Sequence, residues 1–157
     1  PELMLTVQLS PYRDGLLYAS ALAGRGGEAA VDERLQVPPE SSEQVLHPGA
    51  PAADLAVVDV ERPPADGRVL ADGTMGELLL RVWFGPQAAV GWGGDRYVVW
   101  ESGPHTCVTV DLAADTSSDL AEMMGAAQRW ADLRPEDRTV EPLDSVDRAL
   151  LRVSGCY

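Results

Sequence analysis

The sequence predicts one α+β domain, in which N-terminal helices precede a small antiparallel sheet with a helix packed on it. A length of 157 residues fits a single domain, and a hydrophobic fraction of 45% is ordinary for a globular protein. Apolar residues recur at helical spacing in the first part, whereas β-branched and aromatic runs bounded by a turn dominate later. We expect a helical part over 1–48, a loop over 49–73, and a helix with the sheet over 74–157.

The first predicted helix has clear boundary signals. Ser10 is placed to cap it, and Pro11 fits the first helical position, where a missing N–H group is tolerated. Tyr12, Leu16, Ala19 and Ala23 then follow at helical spacing, before glycines at 24, 26 and 27 end the helix.

Two shorter helices are expected before the loop. One spans Glu28 to Leu35 and ends before a pair of prolines. The other spans Ser41 to Leu46, where Ser41 and Gln44 have capping-box spacing. Within the loop, Leu55 to Val60 is a short extended segment.

The last part changes from helical to strand periodicity. Thr74 and Glu77 have capping-box spacing and open a helix that Gly85-Pro86 interrupts. The remaining predicted elements are a strand over Arg96 to Glu101, a Gly103-Pro104 turn, a strand over His105 to Leu112, an amphipathic helix over Ser117 to Ala131 and a strand over Arg148 to Ser154.

Charge restricts the partners of this chain. The formal net charge is -13, and Lys, Ile and Asn do not occur, which is typical of a GC-rich genome. Such a negative chain repels phosphate backbones and anionic lipids, which argues against nucleic acid as a partner. No apolar run approaches the ~18 residues of a membrane span.

Cys107 and Cys156 allow one disulfide. It would close a loop of about 50 residues, worth ~3–4 kcal/mol in the chain-entropy model, and would require an oxidising compartment. Two packed free thiols are the alternative. A third interpretation adds His105 as a metal ligand, since alternate strand residues face the same side.

No complete catalytic motif is present. The two histidines do not form H-E-x-x-H, and no nucleophile elbow or phosphate-binding glycine pattern occurs, so the residues indicate no cofactor, no metal ligand and no catalytic residue. Glu43 and His47, four residues apart, could pair on a helix and raise the pKa of the histidine. The alternative is a structural histidine before Pro48.

Trp92-Gly93-Gly94-Asp95-Arg96-Tyr97 joins a helix to a strand. Its glycines permit positive φ, and Asp95 can cap neighbouring N–H groups. The segment is either a turn whose backbone conformation requires these glycines or part of a polar pocket that includes Asp95 and Arg96.

Two blocks of the sequence resemble a group of uncharacterised bacterial proteins classed as zinc-metallopeptidase-like, many of them exported. The blocks are Pro11-Tyr12-x-x-Gly15 through Ser41-Ser42-Glu43-Gln44-Val45-Leu46-His47-Pro48, and Gly91-Trp92-Gly93-Gly94-Asp95-Arg96-Tyr97. In that group the zinc-binding helix precedes the first block. This sequence has no such helix, so no metal ligand is carried over.

The resemblance implies a metallopeptidase-like C-terminal half that is not a self-sufficient hydrolase. We expect it to act with a missing N-terminal half or with a partner subunit that supplies the zinc site. The residues expected to face the shared cleft are Tyr12, Glu43, His47, Asp95 and Arg96. The alternative is a non-catalytic interaction module, possible as a homodimer. The expected location is extracellular or in the cell envelope, with the cytoplasm as the alternative.

Overall fold

The computed structural model describes residues 2–143 and 150–157, and its order of elements confirms the predicted α+β class. The helices are α1 (Glu2–Gln36), α2 (Ser42–Leu46), α3 (Gly76–Phe84), α4 (Pro86–Ala89) and α5 (Ser117–Ala131), with a 3-10 helix over Ala52–Leu55. The strands are β1 (Arg68–Gly73), β2 (Trp92–Ser102), β3 (His105–Ala114), β4 (Arg138–Leu143) and β5 (Leu150–Cys156). None of these described helices is long and apolar enough to cross a membrane.

The start of α1 differs from the prediction. The helix already includes Glu2, so Ser10 does not cap it and Pro11 lies inside it. Ser10 is instead buried against the body of the domain. Gly26 and Gly27 have non-helical backbone angles, and Gly27 has a φ of 66°. The predicted break is therefore confirmed, and a second helical stretch follows up to Gln36.

The sheet is antiparallel, with strand order β1-β2-β3-β5-β4. The predicted hairpin is confirmed, since Ser102 pairs with His105 across the turn. The two edge strands were not predicted. The segment 56–60 is not a strand; it passes near β2, where the Val58 N–H donates to the Gly93 carbonyl at 2.7 Å. The strand of this region is β1, which lies inside the predicted loop.

Helix α5 covers one face of the sheet, with the predicted bounds. Thr116 caps it by accepting a hydrogen bond from the Asp119 N–H at 3.2 Å. The main core consists of buried residues from α3, α5 and the central strands: Leu80, Trp92, Val110, Leu112, Leu120, Met123, Ala127, Leu151 and Val153. The last strand is confirmed from Leu150 onward; the first two residues of its predicted span lie outside the described residues.

The opposite face of the sheet holds the disulfide. Cys107 and Cys156 are register partners on β3 and β5, and their sulfurs are bonded. Buried Trp100 packs beside them, and the Asp111 carboxylate accepts two 2.7 Å bonds from Arg152. The disulfide excludes the other two interpretations of the cysteines, because neither thiol is free to pack or to bind a metal.

Candidate functional site: a carboxyl-lined cleft and an exposed apolar helix

Helix α2 places Glu43 and His47 beside α3. Ser41 caps α2 by accepting a hydrogen bond from the Gln44 N–H at 3.3 Å. The reciprocal bond of a capping box is displaced by one residue, since the Gln44 side chain accepts from the Glu40 N–H at 3.0 Å. The Gln44 amide also donates to the Leu55 carbonyl, which ties α2 to the 3-10 helix.

His47 pairs with Glu77 rather than with Glu43. Its Nε2 lies 2.9 and 3.0 Å from the two carboxylate oxygens of Glu77, so the nitrogen donates to that carboxylate. The predicted Glu43–His47 pair does not form because α2 has only five residues and His47 lies at its C-terminal cap, with φ of -120° and ψ of 59°. Its side chain therefore leaves the helical direction and reaches α3.

Glu77 is completely buried at the start of α3. Its spacing from Thr74 predicted a capping box, but α3 has no side-chain cap from its own sequence. Its role in the site was missed because its partner, His47, is 30 residues away in sequence.

Asp95 supplies the missing cap from the adjacent strand. Its carboxylate accepts hydrogen bonds from the N–H groups of Met75 at 2.7 Å and Gly76 at 2.8 Å, and from Trp92 Nε1 at 3.0 Å. Asp95 therefore does not cap its own turn, as predicted, but caps the start of α3, about 20 residues earlier in the chain. Burial raises the pKa of Asp95, and the three donors oppose that rise.

A second donor-acceptor contact completes the start of α3. The Leu78 N–H donates to the Ser42 hydroxyl at 3.2 Å. Gly76 has a φ of 70°, and a Cβ there would lie 2.5 Å from the Ser42 oxygen. The glycine is therefore required both by the backbone conformation and by the closeness of α2.

Glu43 lies in a cleft of about 560 Å³ between α2 and the start of α5. The side chain is buried, and the residue has an exposed fraction of 3%. Burial raises the pKa of Glu43 to about 7, and the negative charges of Asp115 and Glu77 add to the rise. Its carboxyl group is therefore close to half protonated at neutral pH.

Two glycines at the start of β2 and just before it allow two carboxylates near the start of α5, those of Asp115 and Asp119, to approach this cleft. A Cβ at Gly91 would lie 2.3 Å from the Asp119 carboxyl carbon, and one at Gly93 would lie 2.9 Å from an Asp115 oxygen. Gly91 also has a φ of 82°. The signal in the sequence that could have placed Asp115 and Asp119 beside the cleft is the glycine pattern opposite them.

The other two predicted site residues lie outside the cleft. Arg96 forms a 2.8 Å ion pair with Asp72 on β1, and both side chains are partly exposed. Tyr12 lies on the outer side of α1 with an exposed fraction of 77%. The structure thus brings Glu43 and His47 together, links Asp95 to them through the start of α3, and separates Arg96 and Tyr12 from them.

Helix α1 exposes an apolar face. This face consists of Leu5, Leu9, Tyr12 and Leu16, each between 55% and 77% exposed, and Met4, Val7 and Leu17 are exposed elsewhere on the same helix. The opposite side, which faces the domain, includes buried Ser10 and Asp14. The hydrogen bond from Arg13 lowers the pKa of Asp14, and Ser10 and the charge of Arg81 on α3 add to this effect. Exposed apolar residues thus run along the outer side of α1, while its inner side buries Leu22 together with the polar Ser10 and Asp14.

Within the described residues, no group of three or more His, Cys, Asp or Glu side chains is arranged to hold a metal ion. The His105 interpretation fails because its two cysteine partners are bonded to each other. Comparison of the chain with protein-family models, with curated proteins and with solved structures found no match. The resemblance to metallopeptidase-like proteins stays a prediction.

Proposed function

We propose that this chain is a metallopeptidase-like interaction domain that has no zinc site of its own and acts with a second polypeptide packed along α1. The observation on which the proposal depends is the exposed apolar face of α1. Contiguous exposed apolar patches of this kind mark interaction sites, because leaving them in water is unfavourable.

Charge supports a protein as the occupant of this face. Residues 2–24 contain one Glu, one Arg and one Asp, a net charge of -1, although the whole chain has a net charge of -13. The core of a protein interface is similarly depleted in charge. The motif blocks quoted above support a partner segment that carries the zinc-binding half.

The arrangement of the apolar face also favours a second candidate, a non-catalytic homodimer. Leu5, Leu9, Tyr12 and Leu16 follow the alternating four- and three-residue spacing of paired helices. In an antiparallel pair with its two-fold axis between Tyr12 and Arg13, Leu9 of one copy lies opposite Leu16 of the other. Such a contact is self-complementary, as a two-fold interface requires.

The disulfide supports an exported location, because such bonds persist mainly in oxidising compartments. We therefore propose an extracellular or cell-envelope protein.

The test is isolation of the tagged protein from its native source, followed by mass and metal analysis of the stoichiometric complex. A second polypeptide with H-E-x-x-H and bound zinc is the result expected for the metallopeptidase-like function. A metal-free homodimer would refute that function and favour the second candidate, and a monomer would refute both.

A matched pair of variants locates the interface. We expect the double variant Leu9→Glu and Leu16→Glu to lose the partner, because it places two charges in the centre of the apolar face. Leu133→Glu is the control, since Leu133 is an exposed leucine on a different surface. Loss of the complex in both, or in neither, would show that the partner does not bind along α1.

A further inference from the structure

We infer that the cleft between α2 and the start of α5 binds an organic monocation, a guanidinium or an alkylammonium group, with Glu43 at its base. The inference is independent of the proposed function, since the described residues that line the cleft include none from α1. Cleft volumes of this size, about 560 Å³, fall within the range of ligand sites.

The walls of the cleft are negative on three sides. Asp54 comes from the 3-10 helix, Asp115 from the end of β3, and Asp119 from the first turn of α5. No arginine is among the described lining residues. The one histidine there, His47, is bonded through Nε2 to the buried carboxylate of Glu77.

Glu43 distinguishes this cleft from an ordinary acidic surface. It is 97% buried, the complement of its 3% exposed fraction. The charged groups that act on its carboxyl are Asp115 and Glu77, and both are acidic. A largely buried carboxylate is stabilised more by a charged donor than by water alone, because charge-assisted hydrogen bonds are the stronger ones. The partner that suits Glu43 is therefore a positively charged donor.

The geometry favours an organic cation over a metal ion. A metal requires several ligands close around one point, and the described residues contain no group of three arranged in that way. A guanidinium or ammonium group has several N–H donors and can satisfy carboxylates that are further apart. Such a group occurs either in a free small molecule or in a basic side chain of a peptide.

Calorimetric titration with butylguanidinium tests the inference, and butylurea serves as the neutral probe of the same shape. At pH 8 we expect saturable binding of butylguanidinium and none of butylurea. At pH 5.5 the binding should be at least tenfold weaker, because protonated Glu43 no longer carries the negative charge that attracts the cation. Glu77, His47, Asp54, Asp115 and Asp119 surround Glu43, so the variant Glu43→Gln is needed to assign the effect.

Glu43→Gln should weaken binding at pH 8 at least tenfold, whereas Glu136→Gln, an equal change of charge at an exposed residue on another surface, should not. The peptide acetyl-Gly-Arg-Gly-amide distinguishes the two kinds of ligand. If it binds more tightly than butylguanidinium, the natural ligand is a basic side chain of a peptide. If it binds equally or more weakly, the natural ligand is a free small cation. Two results would overturn the inference. One is the absence of saturable binding by the folded protein at pH 8. The other is an equal loss of affinity in both variants, which would show that the cation is attracted only by the general negative charge of the protein.

Discussion

Removal of the Asp95 carboxylate should reveal how much the start of α3 depends on strand β2. Asp95→Ala leaves the N–H of Gly76 and the Trp92 indole N–H buried without their acceptor, and also deprives the Met75 N–H of its partner. An unsatisfied buried donor costs about 1–3 kcal/mol. Removing a buried charge recovers part of that cost, so we expect the free energy of unfolding to fall by about 3 kcal/mol.

Urea denaturation at pH 7, followed by circular dichroism, provides the measurement. Asp72→Ala is the control, because it removes a partly exposed ion pair with Arg96 and should cost about 0.5 kcal/mol. The loss of stability in Asp95→Asn should lie between the losses in Asp95→Ala and Asp72→Ala. The amide oxygen of the asparagine can still accept a hydrogen bond, but its NH₂ group faces a donor. A loss in Asp95→Ala no larger than in Asp72→Ala would refute the capping role. If Asp95→Ala does not fold, Asp95→Asn compared with Asp72→Asn decides.

Two further predictions concern the cleft. Glu43 has a pKa raised to about 7 from an ordinary 4.5, so the folded state binds the additional proton and stability should fall by about 3 kcal/mol as pH rises from about 4.5 to about 7. In Glu43→Gln this loss of stability should be absent, so urea denaturation at pH 8 should show the variant to be more stable than the wild type. If the stabilities of the two proteins change with pH in the same way, Glu43 is not a buried ionisable group. Gly91→Ala should lower the free energy of unfolding by about 2–4 kcal/mol, because the new Cβ meets Asp119 and the backbone has a positive φ. Gly85→Ala should lower it by only about 1 kcal/mol, because Gly85 has a φ of 92° but open space around its Cβ position. Equal melting temperatures for the two alanine variants would show that the closeness to Asp119 is unimportant.

Elements with local signals could be predicted from the sequence. Helix α5 has the predicted bounds because its apolar spacing and its cap lie within the same short segment. The β2–β3 hairpin follows from two apolar strands around a tight turn. The edge strands have no such signal: β1 is almost entirely exposed, and β4 contains Pro142. Both strands form because backbone groups of β2 and β5 are available beside them.

The candidate site could be predicted only in part, for the same reason. The sequence identified Glu43, His47 and Asp95 as polar residues of interest. Their partners lie far away along the chain: His47 binds Glu77, and Asp95 binds the start of α3. Spacing patterns report neighbours within about one helical turn, so these contacts were not visible.

The sequence by itself determined the α+β class, the break at Gly26-Gly27, the hairpin and helix α5, because each depends on local backbone preference and periodicity. It also limited the two cysteines to three states, which are a disulfide, two packed free thiols or ligands of a metal ion. The tertiary structure decided among those outcomes by placing Cys107 and Cys156 in register on β3 and β5. It also decided which way α1 faces. Periodicity can place apolar residues on one side of a helix, but only the positions of α2 and α3 decide that this side of α1 faces outward.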